Sequence, residues 1–295
     1  MQIPNTILVA LILVFSVILC STAILAQEKE PFNHEWLQED VEGVGALMKL
    51  MPIEKQDIAV LKENLKEGWS IDDERLGFGA NRIVFSNGYG YCSVYADVFT
   101  FKGDVGYSEV GVRCSSEEWA SIRDTIITAW RQQSGNIEFT EADSKLSHQK
   151  RFESIFSSYY RAVADELGEM KPVDVPSELK EAYEYLISPM NNSYVGEGGC
   201  GYGGSSLEGK SSVDTLVESR RIDLLENILR GYNPGGRVYA AIALSRMRKR
   251  AALSPETQAT LEKVINLDVP VSTCSGCIVN SGLTAKDVIK EFVKK

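Results

Sequence analysis

Apolar residues recur at helical spacing between residues 33 and 67. They predict one helix that Pro52 ends, because proline cannot continue a helix, and a second helix from Ile53 to Glu67. The apolar positions of the two helices are Trp36, Leu37, Val41, Val44, Leu47, Met48, Met51, Ile58, Val60, Leu61 and Leu65.

The pattern then changes to a period of two, which is typical of β-strands. Two extended runs, 89–101 and 105–114, flank Gly103 and predict an antiparallel hairpin in which Cys92 faces Cys114. Directly opposed residues lie within disulfide range, so we predict a bridge between these two cysteines. The apolar face of the hairpin consists of Cys92, Val94, Ala96, Val98, Val110, Val112 and Cys114.

Helical patterns and a short strand follow the hairpin. A capping box at 115–118 predicts a helix that ends near Ser134, and further helices are predicted over 144–167 and 177–187. A strand is predicted at 137–140. Helices beside a small antiparallel sheet are typical of an α+β fold.

The chain is again helical in pattern from Ser211 onward. A leucine-rich helix, a turn at Asn233-Pro234-Gly235-Gly236 and an alanine-rich helix from Arg237 to about Ala252 follow one another. Ser254 is placed to cap a third helix and Thr284 to open the last one.

The first helical pair, clearest from Arg220 to Met247, resembles a HEAT-type helical hairpin. The resemblance covers about 211–266. It implies a packed pair of helices that serves as a scaffold, and it carries no catalytic residue over to this chain.

The first 26 residues have no charged side chain and predict a cleaved secretory signal, 1–26. The alternative is an uncleaved membrane anchor over 7–26, because about 20 apolar residues can cross a bilayer. The rest is predicted to form an α+β domain (27–170), a connector with a glycine-rich loop (171–210) and a small all-α helical domain (211–295).

The charge is uneven along a chain of ordinary globular composition. The formal net charge of −10 argues against nucleic-acid binding, but residues 210–250 have a net charge of +5 and residues 27–75 one of −7. The basic group indicates a surface for an acidic protein partner, for an anionic surface or for the chain's own acidic part, and the alternative is a set of solvated helix faces. Its members are Arg220, Arg221, Arg230, Arg237, Arg246, Arg248, Lys249 and Arg250.

The remaining cysteines of the exported chain are Cys200 and the C-x-x-C pair Cys274 and Cys277. We predict that Cys200 bridges to Cys274 or Cys277 and thereby orders the glycine-rich stretch 196–204. The alternatives are a Cys274–Cys277 bridge, a redox-active C-x-x-C and a zinc site. One thiol is left over in every pairing scheme.

Residues 204–211 match the P-loop pattern G-x-x-x-x-G-K-S through Gly204, Gly209, Lys210 and Ser211. Such a loop would cradle phosphates with its backbone, while the lysine and the serine would hold phosphate and magnesium. Glu208 would place a negative charge inside the cradle, so we rank a loop at a helix start above a nucleotide site.

The hairpin register also places Asp97 opposite Glu109. Two carboxylates at this spacing could share a proton, act as acid and base, or hold calcium, although like charges across a pair of strands are destabilising. His34 and His148 have no ligand-type residue at metal spacing, so we expect neither a metal nor a cofactor.

Together these patterns predict an exported, non-catalytic binding or scaffold protein that acts through protein–protein surfaces in the periplasm or outside the cell. The alternatives are a thiol–disulfide redox enzyme and, ranked lower, a P-loop-like nucleotide binder. The oligomeric state is not predicted.

Overall fold

A six-stranded antiparallel sheet with the order β1-β2-β3-β4-β6-β5 lies at the centre of the structure, a computed structural model. The structure describes residues 34–48, 53, 55–64, 69–87, 92–134, 138–191, 194–200, 204–247, 253–276 and 278–294. The strands of the sheet are β1 (Trp69–Gly77), β2 (Ala80–Asn87), β3 (Cys92–Phe101), β4 (Asp104–Cys114), β5 (Thr140–Ala142) and β6 (Lys145–Arg151).

The β3–β4 hairpin has the register that the alternating pattern predicts. Cys92 pairs with Cys114 and Asp97 pairs with Glu109, and the two cysteines form a disulfide. The register shifts by one residue after Phe99, and Lys102 and Gly103 form the turn with positive φ angles of 51° and 87°. Positive φ at both central residues is what a tight hairpin turn requires.

Three helices cover the apolar face of this hairpin: α1 (His34–Met48), α2 (Lys55–Asn64) and α3 (Ser116–Ser134). Together with the sheet they enclose one hydrophobic core, in which Phe85, Ala96 and Val110 are fully buried. The period-two pattern of the hairpin therefore predicts one face of the sheet correctly.

The other face of the sheet packs against α4 (Glu153–Leu167), where the rings of Phe99 and Phe156 stack with centroids 4.5 Å apart. This second core continues into the C-terminal helices, so residues on both sides of position 170 share it. The remaining elements are α5 (Ser177–Ile187), β7 (Gly199–Cys200), β8 (Ser205–Ser206), α6 (Glu208–Glu218), α7 (Ile222–Ile228), α8 (Pro234–Met247), α9 (Pro255–Ile265), β9 (Pro270–Ser275), β10 (Ile278–Thr284) and α10 (Ala285–Lys294).

Mixed helix and strand content is as predicted, but three elements differ from the sequence patterns. The helix predicted from residue 144 begins at Glu153, because 145–151 is strand β6 paired with β4. The segment after Gly68, for which the sequence pattern predicts no element, forms strand β1. The C-terminal part, predicted to be all helical, contains the β9–β10 hairpin, with Pro270 as the first residue of its first strand.

Two helices begin with a side chain that caps the first turn, Ser254 for α9 and Asn233 for α8. Ser254 accepts a hydrogen bond from the backbone N–H of Thr257 and caps α9, as predicted. Asn233 does the same for the backbone N–H of Gly236, so α8 begins at Pro234 inside the segment predicted as a turn.

None of the helices in the described ranges combines the length and the hydropathy needed to cross a membrane. The predicted signal, 1–26, and the alternative anchor, 7–26, lie outside the described residues.

Candidate functional site

The second disulfide joins Cys200 to Cys274, one of the two pairings that the sequence left open. Backbone hydrogen bonds reinforce it, because Val195 and Gly199 bond to strand β9 and to Gly276 beside it. Residues 195–200, which include the first part of the glycine-rich stretch, are thus held along the edge of the C-terminal hairpin. Cys277 lies outside the described residues.

The P-loop-like stretch forms the start of helix α6. Its Ser205 and Ser206 pair with β7 in a two-residue antiparallel ladder, where a P-loop would follow a buried parallel strand. Lys210 forms an ion pair with Asp214, and the Ser211 hydroxyl donates to that of Ser206 at 3.3 Å. The groups expected to hold phosphate and magnesium therefore have partners within this segment.

The predicted basic group does not form one exposed surface. Arg230 and Arg237 are buried, with 3% and 1% of their surface exposed. Arg220 is exposed, and Arg221 and Arg246 are half-buried. The other three members, Arg248, Lys249 and Arg250, lie outside the described residues.

Arg237 is held in the interior by backbone carbonyls. Its Nη1 donates to Gly231 at 2.8 Å and its Nη2 to Leu76 at 3.0 Å, while its guanidinium lies 5.2 Å from the centre of the Phe78 ring. Burial lowers the pKa of Arg237, although the neighbouring Tyr159 opposes that shift. Arg237 therefore joins the sheet to the C-terminal helices.

A cleft of about 590 Å³, here called the helical cleft, is lined by residues of α6, α8 and α10. It brings together Lys210 and Arg246, which the sequence assigned to two unrelated sites. Its apolar lining consists of Val213, Val217, Ile242, Ala243, Met247 and Val293. An apolar cleft with few polar groups is typical of a binding site.

The rim of the helical cleft has more cations than anions. Lys210 pairs with Asp214, and Arg246 pairs with Glu197 at 2.8 Å and donates to the carbonyl of Phe292 at 2.5 Å. Lys294, also on the rim, makes no ion pair with a described residue. The rim thus has one positive charge that the described part of the chain does not balance.

Tyr239 connects the helical cleft to the segment bound by the second disulfide. Its hydroxyl accepts from the backbone N–H of Gly196 at 2.8 Å and donates to the carbonyl of the same residue at 3.1 Å. Burial raises the pKa of Tyr239, so the hydroxyl stays neutral and can make both bonds.

The charged face of the sheet carries the two carboxylates that the hairpin register predicts. Arg82 binds Asp97 through Nε and Nη2, at 3.0 and 2.7 Å. Glu109 pairs with Lys145 at 2.6 Å and accepts from the hydroxyl of Tyr107 at 2.8 Å. Because each carboxylate has its own cation, the two do not form a proton-sharing pair.

The pKa shifts of the two carboxylates follow from these partners. Burial raises the pKa of Asp97 despite the bonds from Arg82. Burial acts in the same direction on Glu109, but hydrogen bonds from Lys145 and Tyr107 outweigh it and hold the pKa of Glu109 below its ordinary value. No group of His, Cys, Asp and Glu in the described ranges is arranged to hold a metal ion.

A second cleft, here called the sheet cleft, lies between this face and residues 190–191 and has a volume of about 540 Å³. Burial raises the pKa of Glu74 to about 7, and the charges of Asp72 and Asp97 add to the effect of burial while Arg82 opposes it. Sequence reasoning missed Glu74, although β1 alternates Ser70, Asp72 and Glu74 on one face. The cleft is lined by Ser70, Asp72, Glu74, Arg82, Val84, Ser86, Met190 and Asn191.

No protein-family model, curated protein or solved structure matches this chain. The functional argument therefore depends on the chemistry of the two clefts.

Proposed function

We propose that this is an exported, non-catalytic binding protein that docks a segment of a partner protein in the helical cleft. The observation that carries the proposal is the combination of an apolar lining with a rim whose cations outnumber its anions. Four of the rim's charged side chains are tied up in ion pairs, Lys210 with Asp214 and Arg246 with Glu197, which favours binding over catalysis as the function of the cleft.

The partner segment that fits is an amphipathic helix with acidic side chains beside its apolar face. A groove between helices accepts such a helix by burying its apolar side chains, as other helix-binding grooves do. The unbalanced charge of Lys294 favours a carboxylate on the partner, and Lys210 and Arg246 lie on the same rim.

Export is supported by the two disulfides, Cys92–Cys114 and Cys200–Cys274. Disulfides persist in the periplasm and outside the cell and are rare in the cytosol. The cleaved signal over 1–26 is part of the same proposal.

The two enzyme alternatives receive less support. A redox-active C-x-x-C would pair Cys274 with Cys277, but the sulfur of Cys274 is bonded to Cys200, and Cys274 is 2% exposed. A nucleotide site would need Lys210 free for phosphate, but this lysine is paired with Asp214.

The proposal is tested with two synthetic amphipathic helical peptides that differ in one respect, glutamate or lysine beside the apolar face. We expect the glutamate peptide to bind at least about tenfold more tightly, which corresponds to 1.4 kcal/mol. Fluorescence anisotropy at low and at moderate salt would measure both affinities.

Two substitutions on helix α10 provide a matched control. Lys294→Glu should lower the affinity for the glutamate peptide severalfold. Lys290→Glu makes an equal charge change at an exposed position outside the cleft and should leave that affinity unchanged. Val217→Asp in the lining should abolish binding. Equal affinity for both peptides, or equal effects of the two lysine substitutions, would contradict the proposal.

A further inference from the structure

The sheet cleft presents two parallel rows of side chains from neighbouring strands. Cross-strand pairs place Ser70 opposite Ser86 and Glu74 opposite Arg82. Residues two apart on a strand are roughly 7 Å apart, so each row offers polar groups at regular intervals along the cleft. Residues Met190 and Asn191 form the opposite wall.

Several groups in the sheet cleft have unused hydrogen-bonding capacity. Glu74 makes no hydrogen bond to any residue that the structure describes. Arg82 uses Nε and Nη2 for Asp97, and its Nη1 has no partner in the described ranges. Asp72 accepts from the Tyr194 hydroxyl through one oxygen, at 2.9 Å. The cleft therefore contains donors and acceptors side by side.

The charges around Glu74 disfavour an ionic ligand. Asp72, Arg82 and Asp97 face it from the sheet, Tyr185 faces it from α5, and Tyr194 faces it from the segment that follows α5. A phosphate would meet the carboxylates of Asp72 and Glu74, and an ammonium group has no lone pair with which to accept from Nη1 of Arg82. A neutral ligand with many hydroxyl groups avoids the repulsion and supplies both donors and acceptors.

We propose that the sheet cleft binds a neutral saccharide. Vicinal hydroxyls of the sugar donate to Asp72 and Glu74 and accept from Nη1 of Arg82, and the hydroxyls of Ser70 and Ser86 extend the row. The side chains of Val84 and Met190 contact the C–H groups of the sugar ring. Charge-assisted hydrogen bonds of this type are the stronger ones in proteins. This inference does not depend on the function proposed for the helical cleft.

Saturation-transfer difference NMR with maltose, cellobiose and N,N′-diacetylchitobiose at millimolar concentration tests the inference on the whole protein. We expect at least one disaccharide to bind and Glu74→Ala to weaken it about tenfold, the loss expected for one charged hydrogen bond. Glu74→Gln, which keeps the shape of the side chain and its bonding capacity, should retain binding within severalfold. This variant controls for the case in which Glu74→Ala loses binding because it misfolds.

Asp73→Asn is the matched control, since Asp73 lies on the same strand but pairs with Lys62 on the opposite face. It should leave the affinity unchanged. The inference is overturned if none of the three disaccharides binds, if Asp73→Asn weakens binding as much as Glu74→Ala does, or if putrescine or inorganic phosphate binds more tightly than the sugars.

Discussion

The apolar face and the charged face of the central sheet are both covered by helices, but different interactions stabilise them. Under α1, α2 and α3 the apolar face buries aliphatic side chains beside the Cys92–Cys114 bridge. Part of the other face carries a row of charges across four strands, from Glu74 through Arg82 and Asp97 to Glu109.

The two faces therefore differ in how strongly their stability depends on single residues. Burial of apolar surface is non-directional, so neighbouring side chains share the stabilisation. A buried charge requires its own partner at hydrogen-bond distance, and its loss leaves the partner uncompensated. The charged face should therefore be more sensitive to removal of one partner than to removal of both.

The largest effect is expected for Arg82→Met, which leaves Asp97 buried without a cation. Both side chains are largely buried, with 17% and 11% of their surfaces exposed, so we expect a loss of about 4 kcal/mol in the free energy of unfolding. The double variant Arg82→Met/Asp97→Leu should recover most of this loss. Urea unfolding followed by circular dichroism measures both, and an unrecovered double variant would contradict the distinction between the faces.

On the apolar face, Cys92→Ala/Cys114→Ala removes the covalent link across the hairpin. The bridge closes a separation of 22 residues, and its loss should lower the free energy of unfolding by about 3 kcal/mol through greater freedom of the unfolded chain. The folded hairpin should keep its register, because the aliphatic pairs remain. Hydrogen exchange of the β3 and β4 amides would show whether the ladder persists, and loss of protection throughout it would count against shared stabilisation.

A smaller effect, dependent on pH, is expected at Glu74. Burial raises the pKa of Glu74 to about 7, above the unfolded value of about 4.3. The folded protein therefore retains this proton where the unfolded chain has lost it, so the contribution of Glu74 to stability falls as pH rises from about 4.3 to about 7. Because Glu74 is only half-buried, solvent screening reduces the full linkage value, and Glu74→Gln should be more stable than the parent by roughly 2 kcal/mol at pH 8 and equal to it near pH 4.

A stability difference that does not vary with pH would show that Glu74 is not the group responsible. Direct titration of its side-chain carbon by NMR gives the same pKa independently. Asp73→Asn on the other face should show no comparable dependence.

The smallest effect is expected for Tyr95→Phe, which removes the hydroxyl that donates to Glu109 at 2.9 Å. Glu109 keeps Lys145 and Tyr107, so the loss should be about 1 kcal/mol. Thermal unfolding of this variant beside Tyr107→Phe would test whether the two hydroxyls contribute alike. A loss as large as that of Arg82→Met would show that the network depends on tyrosine rather than on the cation.

The apolar face was predictable from the sequence because its signal lies in the spacing of residues along two neighbouring strands. Cys92 and Cys114 follow from a period of two and one turn. The same reasoning finds Asp97 opposite Glu109 but not their cations, since Arg82 and Lys145 come from β2 and β6, which adjoin the hairpin in the sheet but are not part of it. Long-range partners of this kind leave no local pattern.

Other elements were missed because their residues are atypical for their position. Strand β6 has one fully buried apolar side chain, Leu146, among polar neighbours, and β1 is rich in charge. The sequence pattern places Arg237 in the basic group, because arginine is rarely fully buried. Its partners are backbone carbonyls, which the identity of the side chains does not reveal.

The buried guanidinium of Arg237 also affects when the protein can fold. Its hydrogen bond to Leu76 spans 161 positions of the chain, so the ribosome completes β1 long before the residue that secures it is made. Contacts of such high sequence separation slow folding, because a long loop must close before they form. The second core can therefore assemble only after synthesis has passed α8, and a nascent chain ending near residue 170 exposes the surface that this core covers.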